Sequence, residues 1–236
     1  MHRTHSLTIL PCFTLLLTLT ACTHTDPSPD DTKPTAPSSG SSEEKNDSGL
    51  SLTEAIGKLK VARESRTEYE REKFKLWVDD DHDGCDTRKE VLLAEAVKKP
   101  RQGEDCKLTG GTWRSYYDDK TIADAGKLDI DHVVPLAEAW DSGASKWTAE
   151  RRKAYANDLD AERSLVAVSL GSNRSKGDQD PAEWLPPPKD ALCTYATDWV
   201  TTKLRWNLNA DRAETKALHQ VAKGCKEATV TFTPAP

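Results

Sequence analysis

Apolar positions along the chain fall into short blocks separated by charged and turn-forming stretches. The first block, Leu7 to Leu19, follows Arg3 and is rich in threonine. From Thr23 to about Gly49 the residues are Thr, Asp, Pro, Ser, Gly, Glu and Lys with almost nothing apolar. Such a segment buries too little surface to offset the entropy of ordering, which predicts a solvated tether. Core-forming character begins at about Leu50 and runs to Pro236, and this part carries all seven tryptophans. Its size suits a single core.

Within that part, Leu52 to about Val78 has helix-favouring composition, with Leu52, Ile56, Leu59 and Val61 ahead of a highly charged stretch. Asp86 to Glu90 opens a second helix through Val91, Leu92, Leu93 and Ala96, ending before Pro100, and Thr87 with Glu90 fits a capping box. Gly103 to Gly111 reads as turns and Thr112 to Tyr117 as a short strand. Leu128 to Val134 alternates and is β-branched, which predicts a strand ended by Pro135. Trp147 to Leu159 reads as helix and Leu165 to Ser169 as a second strand. Gly171-Ser172 reads as a turn, with a short helix from Asn173 that stops by Pro186. Helices over about Asp190–Trp206 and Asp211–Ala222 close the domain. The order predicts an α+β fold: a strand–strand–helix unit inside a mostly helical shell.

The first apolar block is too short and too rich in threonine for a membrane span, and with Arg3 it fits an export signal. Leu19-Thr20-Ala21-Cys22 resembles a bacterial lipobox. That resemblance implies a signal peptide over 1–21, lipid on Cys22, a tether over 22–49 and a folded domain over 50–236. The protein would then sit on the extracytoplasmic face of the cell membrane. The alternative is an ordinary signal cut near Ala21, a secreted product and a stray thiol at Cys22.

Cys85, Cys106, Cys193 and Cys225 remain in the domain. An even number in an exported chain reads as two disulfides with three possible connectivities. Cys85–Cys106 with Cys193–Cys225 is favoured, since each closes a moderate loop near one end of the domain. No CxxC or HxxxH spacing supports zinc. The formal net charge of −6 argues against a wide basic surface for nucleic acid. A local cationic cluster could still come from Arg151, Arg152, Lys153, Arg163, Arg174 and Lys176, although Arg151 to Lys153 reads more simply as a solvated face.

The strand over Leu128–Val134 carries Asp129-Ile130-Asp131-His132, a carboxylate beside an imidazole, and Asn173-Arg174-Ser175-Lys176-Gly177-Asp178 follows the second strand. Oxygen ligands, a base and cations are the parts a metal-assisted phosphodiesterase needs. Asp81-His82-Asp83-Gly84-Cys85-Asp86-Thr87-Arg88 precedes both. Together, in this order, the three segments resemble the exported bacterial members of the HNH endonuclease family, in the ββα-metal superfamily, over about Trp77 to Cys225.

The resemblance implies a ββα-metal hairpin-and-helix core and hydrolysis of phosphodiester bonds in DNA, with RNA left open, giving 5′-phosphate ends. It implies His132 as the general base, and Asp131 and Asn173 as oxygen ligands of one Mg²⁺ or Mn²⁺ ion. Lys176 and Arg88 are expected at the phosphate, Arg88 because a guanidinium suits bidentate contact. Asp129, Asp178 and Arg174 are expected to support the ligands. Ser164 stands where many HNH sequences carry a middle Asn, and Asn157-Asp158 could take over that role. No organic cofactor is expected, and the chain is expected to be monomeric. Trp140, Trp147 and Trp184 read as core residues rather than base-stacking surfaces.

Asp79, Asp81 and Asp83 occupy positions 1, 3 and 5 of an EF-hand-like loop, with Gly84 at 6 and Glu90 at 12. This leaves a structural Ca²⁺ open, although Asp86 falls where a hydrophobic residue is usual. Two rivals to the enzyme remain: an inactive surface-binding lipoprotein, and a calcium-dependent adhesion module centred on that loop.

Overall fold

A computed structural model describes residues 49–236. The expected signal peptide, the lipidation site Cys22 and the tether up to residue 48 lie outside the described residues. The helices are α1 (Leu52–Gly57), α2 (Thr87–Ala94), α3 (Leu136–Asp141), α4 (Ala149–Ala156), α5 (Leu170–Lys176), α6 (Ala191–Trp206) and α7 (Arg212–Ala222). The strands are β1 (Leu50–Ser51), β2 (Lys60–Val61), β3 (Arg101–Gln102), β4 (Leu108–Thr109), β5 (Trp113–Ser115), β6 (Lys120–Ile122), β7 (Leu128–His132), β8 (Leu165–Ser169), β9 (Asn209–Ala210) and β10 (Thr229–Val230). Each strand pairs with one other: β1–β10, β2–β9, β3–β4, β5–β6 and β7–β8. The architecture is α+β. No helix among the described residues is long and apolar enough to cross a membrane.

The β7–β8 hairpin is antiparallel, with Ile130 opposite Ala167 and His132 opposite Leu165. Side chains alternate across a strand, so one face presents Leu128, Ile130, Leu165 and Ala167. These pack with Val91 and Leu92 of α2 and with Trp113 in one core cluster. Val166 and Val168 point the other way, into a second cluster with Tyr155, Tyr195, Trp199 and Trp206. Burial on both faces explains why β8 is apolar from Leu165 to Val168. The Asp129 and Asp131 side of β7 faces α5, whose seven residues begin immediately after β8.

Lys203, wholly buried on α6, joins the helices: Nζ lies 2.7 Å from both Glu138 Oε1 on α3 and Glu214 Oε2 on α7, and 2.8 Å from Asn209 O. Burial of this cluster pushes the Glu214 carboxyl up to about 7. Cys85–Cys106 and Cys193–Cys225 are the two disulfides, with Cα–Cα separations of 5.1 and 5.4 Å. That is the expected pairing.

Three local expectations fail. The helix expected from Leu52 to Val78 stops at Gly57; beyond it Lys60–Val61 pairs with β9, and Glu68 and Trp77 take positive φ. The charged stretch has no apolar stripe at helical spacing to bury, so tertiary pairing decides its path. The cap of α2 is Asp86, whose carboxylate accepts from Lys89 N; Thr87 Oγ1 instead donates to Val78 O and to Asn157 Oδ1. Gly171-Ser172 is no turn, because Ser169 caps α5 by accepting from Ser172 N and the helix starts at Leu170. Gly177 ends α5 at φ 54°, a left-handed conformation that glycine takes without a Cβ penalty.

Candidate functional site

A shallow cleft of about 210 Å³ opens at the C-terminal end of β7, lined in part by Asp131, His132, Asn173, Arg174, Asp178 and Arg71. Five of these are residues the sequence singled out, drawn from β7, α5 and the turn after α5. A larger cavity, about 680 Å³ beside Val97, Tyr116 and Leu159, shares no lining residue with it. Size does not mark the candidate site here; the cleft holds the converging ligand-type and basic groups.

His132 is 6% exposed, and its Nε2 lies 3.0 Å from Ala156 O. A carbonyl only accepts, so Nε2 carries the proton and Nδ1 keeps the lone pair. The ring stacks on Trp77 at 5.7 Å and on Tyr155 at 6.1 Å. Burial is the main cause that lowers its pKa to about 4; the bond to Ala156 opposes this, and the charges of Arg71 and Lys176 add to it. The imidazole is therefore neutral at pH 7, the form a general base requires. Asn157, the next residue, accepts from Val78 N and Thr87 Oγ1 and donates to Lys75 O and Lys153 O. It secures the segment that carries Trp77, and the carbonyl before it orients the base. Asp158 is engaged elsewhere, by Arg205 and Trp206.

Asp131 Oδ2 accepts from Tyr117 OH and from Lys176 Nζ, each at 2.7 Å. Burial pushes the Asp131 carboxyl up and the Lys176 ammonium down, while their mutual attraction opposes both shifts. Both contacts fall on Oδ2, and Oδ1 has no donor among the described residues. Asn173 Nδ2 donates to Asp129 Oδ2 at 3.0 Å, which fixes the amide and leaves its Oδ1 without a partner among the described residues. Both anchored side chains line the same cleft, and a carboxylate with an amide is a donor set that fits a hard cation such as Mg²⁺ or Mn²⁺. Asp178 stands at the rim, 54% exposed and 3.6 Å from Arg66.

The cations are arranged differently from expectation. Lys176 is wholly buried, bonded to Asp131 and to His132 O at 3.1 Å, so it does not present itself to a phosphate. Arg88 donates to Leu128 O at 2.7 Å and to Ala125 O at 3.4 Å, and it does not line the cleft. Arg151 stacks on Trp147 and Trp206, Lys153 pairs with Asp80, and Arg163 pairs with Asp198. Arg152 bonds Lys73 O at 3.2 Å. The exposed cations that do line the cleft are Arg174 and Arg71. Sequence reasoning missed Arg71. It sits on a 3-10 turn, Arg71–Lys73, held by Arg152 and by buried Phe74, whose ring meets Trp140 and Tyr155 edge-on. It lies in the charged stretch just before the acidic loop and belongs to no motif, and that hid it.

The acidic loop is a separate feature. Carboxylate oxygens of Asp79, Asp81 and Asp83 lie within 4.8 Å of one another, and Glu90 groups with Asp83 and Cys85 but not with the other two acids. Gly84 N, Asp83 N and Cys85 N donate to Asp79, Asp81 and Asp83 respectively. Asp79 Oδ1 is buried without a partner among the described residues. Burial, then the charges of Asp83, Asp81, Asp79 and Asp86, raise the Glu90 pKa. None of these acids lines the cleft.

Residues 65–221 match the family described as GmrSD restriction endonucleases, C-terminal domain. The chain is also 40% identical over 157 residues to an "Uncharacterized secreted protein" of Arthroderma benhamiae (strain ATCC MYA-4681 / CBS 112371), covering 66% of this chain and 76% of that protein. No solved structure gives a significant match.

Proposed function

Because the chain belongs to the family of GmrSD restriction endonuclease C-terminal domains, we propose that it is a metal-dependent nuclease of the HNH type, acting on DNA at the cleft between β7 and α5. The observation that carries this reading is the ordering of His132. Its Nε2–H is held on Ala156 O at 3.0 Å, which leaves Nδ1 as the free base beside Asp131 and Asn173.

His132 Nδ1 takes the proton from the attacking water as the oxygen bonds to phosphorus. Asp131 Oδ1 and Asn173 Oδ1 would hold a Mg²⁺ or Mn²⁺ ion, which supplies charge stabilisation at the phosphate and leaving oxygen when bound. Lys176 offsets the Asp131 charge from beneath and fixes the carboxylate, and Asp129 fixes the Asn173 amide. Arg71 and Arg174 meet the nonbridging oxygens from the open side. Release of the 3′ oxygen gives 5′-phosphate ends. The disulfides, together with a relative named as secreted, support export, since disulfides persist in oxidising compartments.

Plasmid DNA incubated with the soluble domain should be cut with Mg²⁺ or Mn²⁺ and left intact with a chelator. His132→Ala should lower the rate by roughly 10²–10⁴-fold with an unchanged fold by circular dichroism. Undiminished cutting by His132→Ala overturns the assignment. An RNA substrate in parallel decides between the two nucleic acids.

A further inference from the structure

Tyr117 stands in the turn between β5 and β6, belongs to none of the sequence motifs, and is wholly buried. Its ring packs against Tyr116, Trp184 and Tyr195, with centroids 4.8, 5.2 and 5.6 Å away. From this aromatic cluster its hydroxyl donates to Asp131 Oδ2 at 2.7 Å. A buried phenol needs an acceptor wherever it sits, so the bond alone shows only a satisfied hydroxyl. The atom it meets gives it a consequence, because the same Oδ2 also accepts from Lys176 Nζ at 2.7 Å.

A carboxylate oxygen offers about two lone-pair sites. Tyr117 and Lys176 fill those of Oδ2, which leaves Oδ1 for a cation. The turn that carries Tyr117 also holds the helix of the other proposed ligand. Asp118, the next residue, accepts from Ser115 Oγ and from Ser169 Oγ, each at 2.6 Å. Ser169 in turn donates its N–H to Ser115 Oγ at 3.0 Å and caps α5, the helix of Asn173 and Lys176. One turn therefore fixes the Asp131 carboxylate directly and ties down the start of α5. Tyr117 itself does not line the cleft.

We propose that Tyr117 is a positioning residue that, with Lys176, makes Asp131 a one-oxygen ligand and so selects Mg²⁺ or Mn²⁺ over Ca²⁺. Ca²⁺ takes six to eight oxygens and often binds a carboxylate through both, whereas Mg²⁺ demands a near-octahedral shell and keeps several waters. A carboxylate with one oxygen already saturated suits the smaller ion and penalises the larger. The proposal rests on the reading of Asp131 and Asn173 as the ligands.

The test follows Mn²⁺ binding by electron paramagnetic resonance, and its displacement by Ca²⁺, in protein carrying Asp81→Ala so that the acidic loop does not compete. Tyr117→Phe keeps the ring and removes only the hydroxyl. It should bind Mn²⁺ about 10–100-fold more weakly, the usual cost of losing a group that orients a ligand. Ca²⁺ affinity should hold or rise, because the freed site on Oδ2 admits two-oxygen coordination, so the preference for Mn²⁺ falls by about ten-fold or more. Hydrolysis of bis(p-nitrophenyl) phosphate should recover most of its rate at raised Mn²⁺, which a packing defect would not allow. Asp118→Ala, which frees the turn from Ser169 but keeps the hydroxyl, should shift the preference the same way by less. It carries the test if Tyr117→Phe does not fold, and an unchanged preference in it then overturns the proposal. Unchanged binding of both ions by folded Tyr117→Phe, or an equal loss of both, also overturns it. The nuclease reading survives that result as long as Asn173→Ala abolishes Mn²⁺ binding. Mn²⁺ binding that persists in Asn173→Ala overturns the ligand assignment and the role of Tyr117 with it.

Discussion

Lys176 Nζ and Asp131 Oδ2 stand 2.7 Å apart, with the lysine side chain wholly buried and the aspartate 9% exposed. This places the lysine beneath the cleft rather than at its mouth. Removing one partner of a buried pair leaves the other charge uncompensated, at a cost of about 3–5 kcal/mol. Lys176→Met should therefore unfold at markedly lower denaturant as well as lose activity, and adding Asp131→Leu should recover much of the stability. A Lys176→Met protein with a wild-type midpoint but no activity would mean that the ammonium reaches the substrate after all.

The pH behaviour of His132 follows from its burial. Its pKa falls from an ordinary 6.5 to about 4 in the folded protein, so the unfolded chain binds the proton more readily between these values. The stability gained from keeping the ring neutral is complete above pH 6.5 and lost as pH falls towards 4, by about 3 kcal/mol. His132→Phe, which preserves the stacking on Trp77 and Tyr155, should show a flatter decline of urea midpoint across that window. The acid limb of cleavage should likewise lie near pH 4; a limb at the free-imidazole value would place the proton on a different group.

Reduction should lower the melting temperature. The disulfides close loops with sequence separations of 21 and 32 residues, each worth about 3 kcal/mol in the chain-entropy account. Non-reducing peptide mapping should recover Cys85 with Cys106 and Cys193 with Cys225. A Cys85–Cys193 peptide would contradict the fold as described.

The acidic loop and the cleft should respond to different ions. If Asp79, Asp81 and Asp83 hold a structural Ca²⁺, its addition should raise the melting temperature as RT ln(1 + [L]/Kd), and Asp81→Ala should abolish that rise while leaving cleavage intact below the new midpoint. Asn173→Ala should do the opposite, losing Mg²⁺- or Mn²⁺-dependent cleavage with little change in melting. Loss of cleavage in Asp81→Ala at unchanged stability would draw the loop into the active site.

Legibility of the fold followed the range over which each signal acts. β7 and β8 were readable because alternation and a β-branched run are encoded in adjacent residues, and the sequence bounds of α6 and α7 held to within a residue. The charged stretch after Gly57 was misread, because composition favours helix there while the partner strand β9 lies far along the chain.

By itself the sequence determined the α+β order and the candidate trio Asp131, His132 and Asn173; it favoured one of three disulfide pairings, and the fold decided that one. A carboxylate, an imidazole and an amide at strand and helix ends are local facts. Tertiary structure alone decided what each charge faces. Lys176 and Arg88 look like phosphate contacts in the sequence, yet packing turned one under Asp131 and the other onto the carbonyls of Leu128 and Ala125. Arg71, in a stretch with no motif, was carried to the cleft by the anchoring of Phe74 against Trp140 and Tyr155. The reason is energetic: a buried charge must find a partner wherever the fold confines it, and which partner is near depends on elements distant in sequence.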